Sequence, residues 1–160
     1  MSDHIIIAPH PDDEIIGTYE ILKSNRCLII YTAEVSNNRM EIARGLQKHV
    51  DIKGQFFLKN IPPTLLDKSK SNTFYFPHPM HETHPLHREY GMMGELLARD
   101  GYDVIFYSTE MNAPFKFECK EPETKKLLLN TVYEDQKSLW EYDHKYFLFS
   151  GYDKWIFLNK

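Results

Sequence analysis

The fold of this chain is decided by one stretch near its start, Ile5-Ile6-Ile7-Ala8-Pro9-His10-Pro11-Asp12-Asp13-Glu14. The apolar first half predicts a buried strand over residues 4–8, and the apolar spacing that follows predicts a helix over residues 12–23. An imidazole and three carboxylates fall within five positions at the end of that strand. A helix cap needs only one carboxylate, and ligands bind at strand ends in open α/β sheets, so the cluster indicates half of a metal site.

Strand and helix patterns alternate along the rest of the chain. Strands are predicted over residues 27–32, 55–58 and 103–108, and helices over residues 39–50, 86–99 and 122–140. Residues 60–85 lack a period and predict a long loop, whereas residues 145–158 predict two short strands broken at Gly151. Repeated strand and helix units imply parallel strands with right-handed crossovers. We therefore expect a single domain over residues 1–160, a three-layer α/β/α sandwich with a Rossmann-like, mostly parallel sheet.

Composition, charge and cysteine content set only broad bounds on the function. The 160 residues carry a formal net charge of -4, so a nucleic-acid-binding protein that relies on phosphate neutralisation is not indicated. No segment approaches the ~18 apolar residues of a membrane span, and the N-terminus does not resemble a signal peptide. The two cysteines, Cys27 and Cys119, lie far apart, which argues against a disulfide framework and a cysteine zinc site. We expect a cytoplasmic protein with reduced thiols.

A metal centre built on the first cluster needs a ligand from elsewhere, because catalytic zinc usually takes three protein ligands. His10 and a carboxylate three residues later, Asp13, supply a nitrogen and an oxygen. The predicted loop and the helix after it supply two candidate pairs of the same form: His78-Pro79-Met80-His81 and His84-Pro85-Leu86-His87. The second pair stands at the start of a predicted helix, which fixes a ligand more firmly, and this favours His87. His78 and His81 remain the alternative, and two histidines with one aspartate also suit iron(II).

These residues resemble the zinc-dependent N-acetylglucosaminyl deacetylases, a family that includes the phosphatidylinositol-glycan deacetylase. The family's first motif, Ala-His-Pro-Asp-Asp-Glu, is matched by residues 9–14 with Pro9 in place of alanine. Its second, His-Pro-Asp-His, is matched by residues 84–87 with Leu86 in place of aspartate. The helix with Arg39, Glu41 and Ala43 and the segment at residues 133–136 extend the resemblance over nearly the whole chain.

The resemblance implies an assignment of roles to the two motifs. It implies that His10, Asp13 and His87 bind zinc, that Asp12 is the general base and that a protonated His84 stands beside the substrate carbonyl. Glu14 would then orient His10 or cap the following helix. The implied activity is the hydrolysis of an N-acetyl group on an amino sugar or a similar small conjugate.

Further residues are candidates for substrate binding or for contacts between chains. Arg39 could meet a phosphate or another acidic group, because a guanidinium binds such groups bidentately. Asn112, at the end of a predicted strand, is expected at the same crevice. The run Phe74-Tyr75-Phe76 is either core or an apolar wall for a sugar or base. Exposed aromatic residues near the C-terminus are candidates for an interface in a homo-oligomer: Tyr146, Tyr152 and Trp155.

Two other functions fit the same residues. One is an amidohydrolase that acts on an acylated nucleotide or a modified nucleobase. The other is a non-catalytic α/β module that binds a metal or a small ligand. Asp12 argues against the binding module, because such a module needs no carboxylate that stands beside the metal without binding it.

Overall fold

The computed structural model describes residues 3–110, 113, 119–139 and 152–154, and the side chains of these residues except 137–139 and 152–154. The described residues form six strands: β1 His4–Ala8, β2 Cys27–Tyr31, β3 Gly54–Phe57, β4 Thr73–Pro77, β5 Asp103–Tyr107 and β6 Tyr152–Lys154. The α-helices are α1 Asp13–Ser24, α2 Asn37–Arg44, α3 Pro85–Arg99 and α4 Pro122–Val132. Short 3₁₀ helices span Gly45–Lys48, Pro63–Leu65, Lys68–Lys70 and Glu134–Leu139.

The six strands form one sheet in the order β3-β2-β1-β4-β5-β6. The first five strands are parallel, and only β6 pairs antiparallel with β5. Strand β1 lies in the interior of the sheet, where Ile5 is opposite Leu28 of β2 and Phe74 of β4. Because both of its faces are covered, β1 reads as a continuous apolar run rather than as an alternating pattern.

Successive residues of the strands enter two hydrophobic cores on opposite faces of the sheet. On one face, Ile6 and Ala8 pack with residues of α1, α2 and α4. On the other face, Ile5 and Ile7 pack with residues of α3 and of the segment between β3 and β4. This alternation gives three layers, so the predicted α/β/α sandwich with a mostly parallel sheet is confirmed.

The prediction of an uninterrupted loop over residues 60–85 is wrong, because Thr73–Pro77 forms strand β4. The segment is short and is flanked by loop-like residues, so its local sequence carries only a weak strand signal. It becomes a strand because it inserts between β1 and β5 and pairs with both. Phe74, Tyr75 and Phe76 are all buried, so the aromatic run is core and not a wall for a ligand.

Two predicted helices are shorter in the structure. The α-helical part of the predicted helix over residues 39–50 ends at Arg44 and continues as a 3₁₀ helix. The helix predicted to reach residue 140 ends at Val132, and the 3₁₀ helix Glu134–Leu139 follows. Near the end of α4, Val132 is buried and Thr131 is exposed. None of the helices in the described part of the chain has the length and apolar character needed to cross a membrane.

Candidate metal centre

The candidate site lies where the strand order reverses direction. From β1 the chain builds outward to β2 and β3 on one side, then returns to build β4 and β5 on the other. In open α/β sheets, the crevice outside the carboxyl ends of the strands at such a point is the usual place for a ligand. The segment after β1 brings His10 and Asp13 to this crevice, and α3, which follows β4 after a short loop, brings His87.

His10, Asp13 and His87 form a group that could hold a metal ion. His10 Nδ1 lies 3.2 Å from His87 Nε2 and 3.4 Å from Asp13 Oδ2. The distance from His87 Nε2 to Asp13 Oδ2 is 3.0 Å. A tetrahedral ion bound at about 2.0–2.1 Å holds its ligand atoms about 3.4 Å apart, so the three atoms fit such an ion closely. Three protein ligands also leave one position open, as in catalytic rather than structural zinc sites.

The turn between β1 and α1 fixes the first two members of this group. The backbone N–H of His10 donates to Asp13 Oδ2 at 2.8 Å, and the backbone N–H of Asp13 donates to the carbonyl of His10 at 3.1 Å. Asp12, between them, has a φ of 112° and a ψ of -30°, a conformation that is rare for a residue with a side chain. Its carboxylate makes no capping hydrogen bond to α1, although Asp12 occupies the N-cap position. In this backbone conformation the carboxylate of Asp12 does not cap α1 and stands beside the candidate metal ligands.

The side chain of Glu14 stabilises this turn through hydrogen bonds. Its Oε2 accepts from the backbone N–H of Asp12 at 2.9 Å, and its Oε1 accepts a short hydrogen bond from the hydroxyl of Tyr133. Of the two predicted roles, the contact with the N-cap residue of α1 corresponds to capping. The carboxyl is fully buried, and burial raises its pKa to about 7 against the opposing hydrogen bonds from Tyr133 and the backbone.

The acidic and imidazole groups of the site perturb one another strongly. Burial and then the carboxylates of Asp13 and Glu14 raise the pKa of Asp12 well above its ordinary value, and Arg39 opposes this rise. Burial alone would raise the pKa of Asp13, but attraction to His87 and His10 holds it well below its ordinary value. Burial alone would lower the pKa of His87, but Asp13 and Glu82 raise it to about 10.

Glu82 lies beside the His87 ring, on the side away from Asp13. Its Oε1 lies 3.0 Å from His87 Nδ1 and accepts from the hydroxyl of Thr109 at 2.9 Å. Its Oε2 accepts from the hydroxyl of Ser108 at 2.7 Å, and the backbone N–H of Thr109 donates to both oxygens. Glu82 is buried in the loop before α3. Its hydrogen bonds connect His87 of α3 with the residues that follow β5.

His84 caps α3, which changes its expected protonation state. Its Nδ1 accepts from the backbone N–H of Leu86 at 3.1 Å, so the capping ring has no proton on Nδ1. Burial and the neighbouring His10 and His87 lower the pKa of His84. The ring centroids of His84 and His10 are 4.7 Å apart. A neutral ring with its proton on Nε2 therefore stands beside the metal ligands, in place of the protonated ring that we expected.

The alternative histidine pair, His78 and His81, lies outside the candidate metal group. His78 is buried, its Nδ1 accepts from the backbone N–H of Met80 at 3.1 Å, and its ring contacts His81 and Phe106. Burial and His81 lower the pKa of His78 to about 4. The candidate metal group contains His87 and neither member of this pair.

The metal group opens into a pocket of about 540 Å³, within the usual size range for small-molecule sites. Arg39 lines it, donates to Asp135 Oδ2 at 2.7 Å and reaches the carbonyl of Pro11 at 3.4 Å. Gln136 lines it too, and its buried Oε1 has no hydrogen-bond partner among the described residues. The pocket thus offers one guanidinium and one unsatisfied acceptor to a ligand. The prediction for Asn112 falls outside the described residues, as do those for the side chains of Tyr146, Tyr152 and Trp155.

Four residues around the site have no predicted role from the sequence: Glu82, Thr109, Glu110 and Gln136. Glu82 was open to prediction, because it is the only carboxylate between the two histidine pairs. Thr109 and Glu110 come directly after β5, where side chains meet the same crevice. Gln136 lies in the segment at residues 133–136 that extends the family resemblance, but its approach to the pocket depends on how the 3₁₀ helix after α4 returns to the site.

Fold and site together define an α/β protein with a candidate metal centre at the carboxyl edge of a parallel sheet. The chain matches no protein-family model, and no curated protein or solved structure is significantly similar to it. The assignment of a function therefore depends on the chemistry of the site.

Proposed function

We propose that the protein is a zinc-dependent amidohydrolase that removes an N-acetyl group from an amino sugar or a related small conjugate. The observation that carries the proposal is the metal group of His10, Asp13 and His87 with the buried carboxylate of Asp12 beside it. A binding module would gain nothing from this carboxylate, whereas amide hydrolysis needs a base next to the metal. The two motifs that resemble N-acetylglucosaminyl deacetylases supply the same assignment of these four residues.

Zinc, when bound, supplies a Lewis acid for the acetyl carbonyl and lowers the pKa of a water molecule to about 7. Asp12 accepts the proton of the attacking water. Burial and the neighbouring carboxylates raise its pKa above its ordinary value, which makes it a stronger base than a free aspartate. The same carboxyl then returns the proton to the nitrogen of the leaving amine as the amide bond breaks.

His84 stabilises the charge that develops on the carbonyl oxygen. Its Nδ1 is committed to the cap of α3, so its Nε2–H is the donor that remains for the substrate. A fixed donor at that position contributes more in the transition state than in the ground state. A neutral ring does this without adding positive charge next to the bound metal.

The rest of the pocket holds the substrate. Gln136 Oε1 accepts a hydrogen bond from a hydroxyl or N–H group of the substrate, because it is buried without a partner among the described residues. Arg39 is held by Asp135 with part of its side chain exposed, and it meets the polar or anionic end of the conjugate. An acylated nucleotide offers the same groups, so nucleotides belong in the panel of test compounds.

The test measures metal content and acetate release with the same protein samples. The protein is purified with zinc or, without oxygen, with iron(II), and is assayed on N-acetylated amino sugars and acylated nucleotides. The wild type should bind one metal ion, and His10→Ala and His87→Ala should lose it. Asp12→Asn should keep the metal and lose activity by about 10²–10⁴-fold, the usual contribution of a general base.

The matched control is Glu89→Gln, which removes an exposed carboxylate of α3 and should leave metal content and activity unchanged. A wild-type protein that binds no divalent metal would overturn the proposal. Metal binding without turnover of any compound in the panel would favour the non-catalytic module. Full activity of Asp12→Asn would remove Asp12 from its role.

A further inference from the structure

Glu82 is a buried carboxylate that the mechanism above does not use. It is 4% exposed, and its hydrogen-bond partners among the described residues are Ser108, Thr109 and His87. Two hydroxyls and a backbone N–H reach its two oxygens from the end of β5. These donors are directed at an ionised carboxylate, which is acceptor-only, and they compensate the cost of burying its charge.

The contact with His87 then determines where the ring carries its proton. An acceptor 3.0 Å from Nδ1 requires the proton on Nδ1. In the neutral ring, Nε2 is then left with a lone pair, and Nε2 is the atom that lies 3.0 Å from Asp13 Oδ2 and 3.2 Å from His10 Nδ1. With Glu82 on the Nδ1 side of the ring, this lone pair of Nε2 faces the other two candidate ligands.

We infer that Glu82 is a positioning residue that fixes the tautomer and the orientation of His87 for a divalent metal ion. The inference rests on the proposed metal centre and goes beyond it, because Glu82 lies in neither motif. Glu82 also balances the charge of the centre. With two neutral imidazoles, the carboxylates of Asp13 and Glu82 together offset one divalent cation.

Outer partners of metal-bound histidines usually contribute about 10–100-fold to metal affinity. Glu82→Gln keeps the shape and the acceptor oxygen but removes the charge, so zinc affinity should fall by about that factor. The measurement is competition with a chromophoric zinc chelator, using the full chain. The cobalt(II) form gives a second readout, because its visible absorption reports the geometry of the ligands and should change in the variant.

The control is Glu110→Gln, which removes a carboxylate at the same edge of the sheet. Glu110 accepts from the backbone N–H and the hydroxyl of Thr83, and it makes no hydrogen bond to a histidine of the group. Its variant should keep the zinc affinity and the cobalt spectrum of the wild type. This comparison separates the contact with His87 from a general loss of negative charge near the metal.

A second variant covers the case in which Glu82→Gln does not fold. Thr109→Val removes one hydroxyl donor to Glu82 while keeping the shape of the side chain, and it should lower zinc affinity several-fold. Wild-type zinc affinity and cobalt spectrum in Glu82→Gln, or in Thr109→Val if the first is insoluble, would overturn the role of Glu82 alone. A wild-type protein that binds no zinc would overturn both the role of Glu82 and the proposed function.

Discussion

The strained backbone of Asp12 leads to a prediction about stability that reverses the usual order of glycine and alanine. At a φ of 112° an alanine keeps the steric conflict of the native residue, whereas glycine does not. Both substitutions remove the carboxylate, so the difference between the stabilities of the two variants reports the effect of the backbone conformation alone. Strain of this kind costs about 1–3 kcal/mol. Glycine in turn costs about 0.5–1 kcal/mol more conformational entropy than alanine.

The two effects leave Asp12→Gly more stable than Asp12→Ala by about 1 kcal/mol. Urea unfolding measures this as a shift of the midpoint by about 0.5 M, given typical slopes of the free energy of unfolding against urea. The experiment uses metal-free protein with a chelator present, because bound metal would stabilise the folded state by mass action. Both variants should be inactive, since both lack the proposed base.

A control for the glycine and alanine variants of Asp12 is the same pair of substitutions at a residue with helical backbone angles. Glu123 is exposed in the first turn of α4, and its glycine variant should be less stable than its alanine variant by about 0.5–1 kcal/mol. If Asp12→Ala proved as stable as Asp12→Gly, or more stable, the turn would not be strained. Backbone strain would then not explain why the Asp12 carboxylate does not cap α1.

Further predictions concern the body of the fold. Lys125 is fully buried and donates to the carbonyl of Ile16, and burial lowers its pKa to about 7 against the attraction of Cys119 and Glu20. The unfolded chain therefore binds more protons between pH 7 and about pH 10.5, so wild-type stability should rise with pH there relative to Lys125→Met. Urea unfolding of both proteins at three pH values checks this, and a constant difference would contradict it. Gly91 lies where an added Cβ would stand 2.6 Å from the carbonyl oxygen of Pro77, so Gly91→Ala should cost about 1–3 kcal/mol. Gly45→Ala meets no atom within 4 Å at a helical φ of -59° and should be neutral or stabilising by up to about 1 kcal/mol, and equal effects of the two substitutions on thermal unfolding would refute the close approach of α3 to β4.

The first motif could be interpreted from the sequence because its meaning is local. The apolar run, the histidine and the carboxylates are adjacent in the chain, and a strand followed directly by a helix places them together without reference to the rest of the protein. The predicted bounds of β1 agree with the structure for the same reason. The alternation of strands and helices likewise predicted the layered architecture, since parallel strands require crossovers of this kind.

Strand β4 shows what local sequence could not determine. Residues 73–77 are too short and too irregular in their surroundings to predict a strand, and they pair with β1 and β5 from distant parts of the chain. The two histidine pairs have the same form in sequence, and the predicted helix start at residues 84–87 favoured His87. The packing of α3 against β4 and β5 is what brings His87 rather than His78 to the first motif.

The sequence by itself therefore determined the fold class and the candidate ligands His10 and Asp13, because these depend on patterns within a few residues of each other. It also favoured His87 as the third candidate ligand, from its place at a predicted helix start. Tertiary structure brought His87 to the other two candidate ligands, and it decided the capping contact of His84 and the contact of Glu82 with His87. Each of these depends on groups brought together by the packing of α3 against the sheet, or on the exact direction of a ring nitrogen. Hydrophobic periodicity carries no information about such directions, because they arise from hydrogen bonds that form only when the strands and helices are in place.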